Sequence, residues 1–203
     1  MTKLILVRHG QTVWNVEMKY QGHSDIALTE KGVQQAELVA NRLANEKINA
    51  VYASDLSRAF QTAEKIARKF TLPVTSLPDL REISFGKWEG LTYDGIYKEW
   101  PDVMNKLFTH PDEVQIPGGE TFRQVKERAS QAIEKLVAKH PDETIAVVSH
   151  GGTIRTILCA ILDIHLNHVW NIVQDNTAVN IINYYSERTM VSLVNDTHHL
   201  LPK

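Results

Sequence analysis

The stretch LILVRHGQTVWN, Leu4 to Asn15, decides how the chain is read. Four apolar residues, Leu4 to Val7, run straight into Arg8, His9 and Gly10 and then into a polar turn. A continuous apolar run is the mark of a strand buried on both faces, as in a parallel sheet covered by helices. In such sheets ligands bind beyond the carboxyl ends of the strands, where loops lead into helices. A strand from Lys3 to Val7 that ends in a cation, an imidazole and a glycine is therefore delivering chemistry to that edge.

The same logic recurs downstream. TIAVVSHGG, Thr144 to Gly152, is a second buried strand closing on a histidine and two glycines. Between the two, Thr29 reads as the N-cap of a helix with Val33, Ala36, Val39, Ala40 and Leu43 on one face. Ala50 to Ala53 is a short strand stopped by SDLSR, and a second helix follows with Ala59, Thr62, Ala63, Ile66 and Ala67 inward. LPVTSL makes a third strand. From Leu80 to Pro117 tryptophans, glycines and prolines break the pattern into short helices and loops. Phe122, Val125, Ala129, Ala132, Ile133, Leu136 and Val137 mark a long amphipathic helix, and Thr153 to Leu162 an apolar one. TAVNIINYY and TMVSLVN close the chain as strands. Alternating strands and helices predict one α/β domain over residues 1–203, a three-layer sandwich with a mostly parallel central sheet flanked by helices. The segment 84–119 is too long for a plain connection and is expected to form a small lid subdomain.

Composition narrows the function. With 203 residues and a formal charge of −2, the chain has no general basic field to attract nucleic acid or a membrane. The single cysteine, Cys159, allows no internal disulfide, and the N-terminal apolar run is too short for a signal or a membrane span. Both observations lead to a cytoplasmic location. Attraction for anions must then be local. Three strand ends, VRHG, YASDLSR and VVSHGG, deliver Arg8, His9, Arg58 and His150 to one crevice, an electropositive hole suited to a phosphoryl group. Gly10, Gly151 and Gly152 let backbone N–H groups approach an anion, and Gly151 and Gly152 open a helix whose N-terminus favours negative charge. One histidine is expected to attack phosphorus in line and expel an alkoxide. An alkoxide leaves poorly unless protonated, and Glu82 in LREISFGKWEG is the candidate acid. The same carboxylate can then activate water, and neither metal nor cofactor is required. The competing reading of Glu82 is a surface ion pair with Arg81.

LVRHGQTVWN, SDLSRAFQTA, LREISFGKWEG and VVSHGG, in that order, resemble the histidine phosphatase superfamily, which includes the cofactor-dependent phosphoglycerate mutases. The resemblance spans nearly the whole chain and implies a phosphoglycerate mutase-like fold. It implies His9 as the phosphorylated nucleophile, with Arg8, Arg58 and His150 holding the phosphoryl group. It further implies Glu82 as proton donor and Asn15 and Gln21 as supporting phosphate contacts. The short chain with FGKWEG and PGGE is most similar to small bacterial phosphatases, among them α-ribazole-5′-phosphate phosphatases, metal-independent phosphoserine phosphatases and broad-specificity enzymes.

A small phosphorylated metabolite is the expected partner. A mutase is a second reading, against which stands the shortness of Gly90 to Gly119. A non-catalytic phospho-ligand sensor is a third, although a pure binder needs neither nucleophile nor acid. A zinc site of His9, His150 and Glu82 ranks last, because flanking arginines repel a cation. Trp88, Trp100 and Trp170 read as packing, and the remaining histidines form no evident constellation. The exposed face of the last strand offers a surface for pairing with a second copy.

Overall fold

The computed structural model describes residues 1–201. Strand β1 (Thr2–Arg8) is followed by a one-turn helix α1 (Val13–Val16) and by α2 (Glu30–Leu43). Then come β2 (Ile48–Ala53), α3 (Ser57–Arg68) and β3 (Val74–Ser76). Helices α4 (Tyr93–Glu99) and α5 (Pro101–Thr109) lie in the segment that the sequence leaves irregular. The long helix α6 (Phe122–Lys139), strand β4 (Thr144–Ser149) and helix α7 (Gly151–Ile161) follow, and β5 (Val179–Tyr184) and β6 (Thr189–Asp196) end the fold.

The six strands form one sheet in the order β3-β2-β4-β1-β5-β6. The first four are mutually parallel, β5 adds antiparallel to β1, and β6 adds antiparallel to β5. Strand periodicity sets the layers. Ile5 and Val7 point into one core with Val39, Ala40 and Leu43 of α2 and Ala59, Ala63 and Ile66 of α3. Leu4 and Leu6 point the other way, against Ala129, Ile133 and Leu136 of α6 and Ile154, Ile157 and Leu158 of α7. Leu4 to Val7 are wholly buried, as a continuous apolar run in a central strand requires. The result is the expected three-layer α/β sandwich. Val33 departs from the expected face: it is exposed, and Gly32 and Gln35 are buried in its place, because α2 meets the loop after β1 through Gly10 and Gly32. A Cβ on Gly10 would lie 2.4 Å from the Gly32 carbonyl oxygen. Among the described residues no helix is long and apolar enough to cross a membrane.

The segment 84–119 is mostly helical and has an apolar centre of its own. Phe85, Trp88, Ile96, Met104, Leu107, Val114 and Ile116 pack together and against Phe122, Val125, Cys159 and Val169. It is thereby fixed to the first turns of α6 and to the last turn of α7.

Candidate active site

Sheet register builds the site. Arg8 lies opposite Ser149, and the His9 N–H donates to the Ser149 carbonyl at 3.0 Å. The residue that follows on each strand is a histidine, so the rings of His9 and His150 stand side by side, 5.1 Å between centroids. On the far side of β4, Ala53 pairs with Val148 and the chain turns into α3, which brings Arg58 in its first turn. The structure thus gathers Arg8, His9, Arg58 and His150 from three strand ends. A cavity of about 260 Å³ opens there, lined by Arg8, His9, Asn15, Gln21, Arg58, Glu82, Gly152 and Arg155. His150 is fully buried against His9.

Among the described residues Arg8 and Arg58 face no carboxylate within ion-pair distance. Arg58 donates through Nη1 and Nη2 to the carbonyls of Ser24 and Gly22, both at 2.8 Å, and Arg8 through Nη1 to the Gln174 carbonyl at 2.6 Å. The Nε of each arginine and both ring nitrogens of His150 are buried without a protein partner. Leaving a buried polar group unpaired costs about 1–3 kcal/mol, so folded proteins rarely tolerate a cluster of them. A ligand rich in oxygen and negative charge relieves that cost, and a phosphoryl group is such a ligand. Burial pushes the Arg8 guanidinium down to about 10, a shift that Glu82 opposes, and it stays protonated near neutrality.

The His9 ring is held in one tautomer by its backbone contact. Its Nδ1 lies 2.7 Å from the Gly10 carbonyl oxygen, which can only accept. Nδ1 therefore carries the proton and Nε2 keeps its lone pair. Burial, then Arg58, then Arg8 hold the His9 pKa well below the ordinary histidine value, so the ring is neutral near pH 7. Burial and the same two arginines, with His9, do likewise to His150.

Glu82 belongs to the site and makes no ion pair with Arg81, which forms a two-bond pair with Asp55. Its carboxylate accepts from the Gly152 and Thr153 N–H groups at the start of α7, both at 3.0 Å. A Cβ on Gly152 would stand 2.6 Å from Glu82 Oε1, so the glycine makes room for the acid. This corrects the expected use of two glycines. The Gly152 N–H serves Glu82, and the Gly10 N–H donates to Thr62 Oγ1, so neither is free for an anion. Gly151 adjoins two arginines: a Cβ there would lie 3.4 Å from Arg8 Nε and 3.1 Å from Arg155 Nη1.

Asn15 and Gln21 present donors to the cavity. Asn15 Oδ1 accepts from the Thr12 N–H, which fixes the amide orientation, and Gln21 Oε1 accepts from Thr12 Oγ1. Each amide NH2 is thereby turned away from that contact.

The histidine phosphatase superfamily (branch 1) matches residues 4–197. The chain belongs to the histidine phosphatase superfamily. It is 34% identical over 200 residues to phosphoserine phosphatase 1 of Hydrogenobacter thermophilus, covering 98% of this chain and 95% of that protein. Among solved structures it is similar to Bacillus stearothermophilus YhfR, at 36% identity and a TM-score of 0.94, covering 98% and 99% of the two chains. A phosphoserine phosphatase mutant from Entamoeba histolytica, in complex with phosphoserine, superimposes with a TM-score of 0.90 at 32% identity over 99% of this chain and 100% of that one. The protein is a phosphatase.

In this phosphatase several contributors to the site escape a reading of the sequence. Arg155 lines the cavity from α7, one turn beyond Gly151; its spacing of four on that helix was the available signal. Trp170, expected only to pack, lines the cavity with Phe108, the two rings 5.5 Å apart. Glu89 accepts from the N–H groups of His23, Ser24 and Phe85, and so fixes the Gly22–Ser24 carbonyls that grip Arg58. Arg128 of α6 donates to the carbonyls of Asp79, Arg81 and Glu82 while paired with Glu120, which sets the backbone of the acid. His23 Nε2 lies 2.9 Å from the Glu82 carbonyl oxygen and supports the same segment. Among the described residues no group of three or more histidine, cysteine or acidic side chains is placed to hold a metal ion.

Proposed function

We propose that this phosphatase hydrolyses the monoester of a small phosphorylated metabolite, without a metal, through a phosphohistidine on His9. The observation that carries the reading is the His9 ring, neutral and with Nδ1 bonded to the Gly10 carbonyl, set among buried unpartnered nitrogens of Arg8, Arg58 and His150. His9 Nε2 attacks phosphorus and the bond to the leaving oxygen breaks, that oxygen taking a proton from Glu82. Water then gives a proton back to Glu82 as its oxygen attacks the phosphohistidine, releasing phosphate and restoring His9. Arg8, Arg58 and His150, with the amides of Asn15 and Gln21 and the backbone at Gly151, hold the phosphoryl oxygens throughout.

Hydrolysis is favoured over transfer within the substrate by the mouth of the cavity. Met18 and Phe108 there are exposed, so water reaches the intermediate. Likeness to phosphoserine phosphatases supports a small amino-acid ester ahead of an α-ribazole phosphate. The free, buried Cys159 fits a cytoplasmic enzyme. The test is phosphate release from L-phosphoserine and nitrophenyl phosphate by protein dialysed against EDTA, beside His9→Ala. Release by the wild type and loss of at least about 10³-fold in the variant are expected. Silence on both esters would leave a sensor, and release only on adding a divalent metal would overturn the mechanism.

A further inference from the structure

Three guanidinium groups meet at the site, and they are not held alike. Four cations line the cavity: Arg8, Lys19, Arg58 and Arg155. Lys19 is spoken for by Glu17, 2.8 Å away. The other three have no carboxylate within ion-pair distance among the described residues, and His9 and His150 are neutral. Arg8, Arg58 and Arg155 are thus the guanidinium groups left for a ligand.

Arg155 differs from the other two. Arg8 and Arg58 each hold a buried unpartnered Nε beside His9 and His150, whereas Arg155 uses its Nε to donate to the Ile172 carbonyl at 2.7 Å. Its two terminal nitrogens have no protein partner among the described residues. The guanidinium lies over the Trp170 ring, 5.5 Å from the centroid, and Trp170 in turn meets Phe108 of α5. Arg155, Trp170 and Phe108 thus line one aromatic side of the cavity that Arg8, His9 and Arg58 also line. Asp175, whose charge is felt by both Arg8 and Arg155, is exposed and receives the Asn195 amide at 2.9 Å. A guanidinium with one edge anchored and the other open is a fork for a carboxylate.

We propose that Arg155 receives a carboxylate on the leaving alcohol, so that the site selects phosphomonoesters of hydroxy acids over esters of uncharged or cationic alcohols. The inference rests on the phosphatase reading of the same cavity. The discriminating pair is L-phosphoserine and O-phosphoethanolamine, which differ by the carboxylate alone. In the wild type kcat/KM favours phosphoserine by about 10- to 100-fold, the range of one charge-assisted bidentate contact. Arg155→Met, which keeps the stem against Trp170, brings the ratio towards one, and Arg155→Lys retains part of it. The same ratio, read as Kd by calorimetry in a His9→Ala background, needs no turnover. Equal losses on both esters in Arg155→Met, or a wild type indifferent between them, overturn the proposal. Failure of the phosphatase reading looks different: no phosphate release, with the Arg155-dependent preference still present in Kd.

Discussion

Two histidines at opposite ends of the sheet, His140 partly buried and His150 fully buried, show how the molecule separates structure from function. His140 caps the amino-terminal side, and both of its ring nitrogens are engaged: Nδ1 with Glu143 at 2.5 Å and Nε2 with the Tyr52 hydroxyl at 2.7 Å. Around it Thr2 Oγ1 donates to the His140 carbonyl and Lys3 pairs with Glu46. His150, at the carboxyl ends of the same strands, has neither nitrogen engaged, and Arg8 and Arg58 beside it are left equally short. Of eight buried side-chain nitrogens and oxygens without a partner among the described residues, four belong to these three residues. One end of the sheet is finished as protein; the other leaves four ring and guanidinium nitrogens without a protein partner among the described residues. Unpaired groups are the better guide to the site than histidine content, because evolution rarely leaves such a cost where nothing answers it.

The contrast is open to attack by mutation. The largest effect is expected at the acid. Glu82→Gln removes the proton but keeps an acceptor for the α7 N–H groups, and it should slow esters with poor leaving groups by about 10²–10⁴-fold. Nitrophenyl phosphate, whose leaving group needs no proton, should lose at least about tenfold less. Equal slowing of both esters would make Glu82 a structural cap of α7 and nothing more.

Exchanging the two histidines' fates comes next. His150→Asn should lower kcat/KM by about 10²–10³-fold, as loss of one positioned donor does, and melt close to the wild type because no protein hydrogen bond is lost. His140→Ala should do the reverse. Loss of its two partners costs about 1–3 kcal/mol, several degrees in Tm, with kcat within twofold of the wild type. A strongly destabilised His150→Asn would mean that its nitrogens are paired after all.

Which of this the sequence displays follows from range. The strands that form the site are legible because a parallel strand buried on two faces must be a continuous apolar run, and Leu4–Val7 and Ile145–Val148 are such runs. The neighbouring positions of His9 and His150 then need only register. Arg155 is not legible in the same way: a lone arginine on an apolar helix reads as a solvated end, and only the fold of 84–119 brings Phe108 beside Trp170, over which the guanidinium lies. The supports of Arg58 and Glu82 are hidden for a similar reason, since Glu89 and Arg128 reach backbone groups more than forty residues away. The engagement of the Gly10 N–H is hidden too, since its partner, Thr62 of α3, lies 52 residues away and is brought to it by tertiary packing.

The smallest expected effect sharpens the comparison through pH. His9 and His150 are held neutral in the fold, while in the unfolded chain they take up protons below about pH 6.5. The unfolded state then binds more protons, so stability is full above that pH and falls as the solution is acidified. Each imidazole contributes a slope of up to about 1.4 kcal/mol per pH unit. In His150→Asn the part of the slope due to these two rings should fall by about half, measured by denaturant melts between pH 6.5 and 5. An unchanged slope would place the acid sensitivity elsewhere.

The central claim is that His9 Nε2 takes the phosphoryl group. Its most direct test is rapid quenching of the enzyme with a 32P-labelled ester under alkaline conditions that preserve phosphohistidine, followed by peptide mapping. The account predicts label on His9, formed and lost at rates that match turnover and absent from His9→Ala. Turnover with no labelled histidine, or label on another residue, would contradict it.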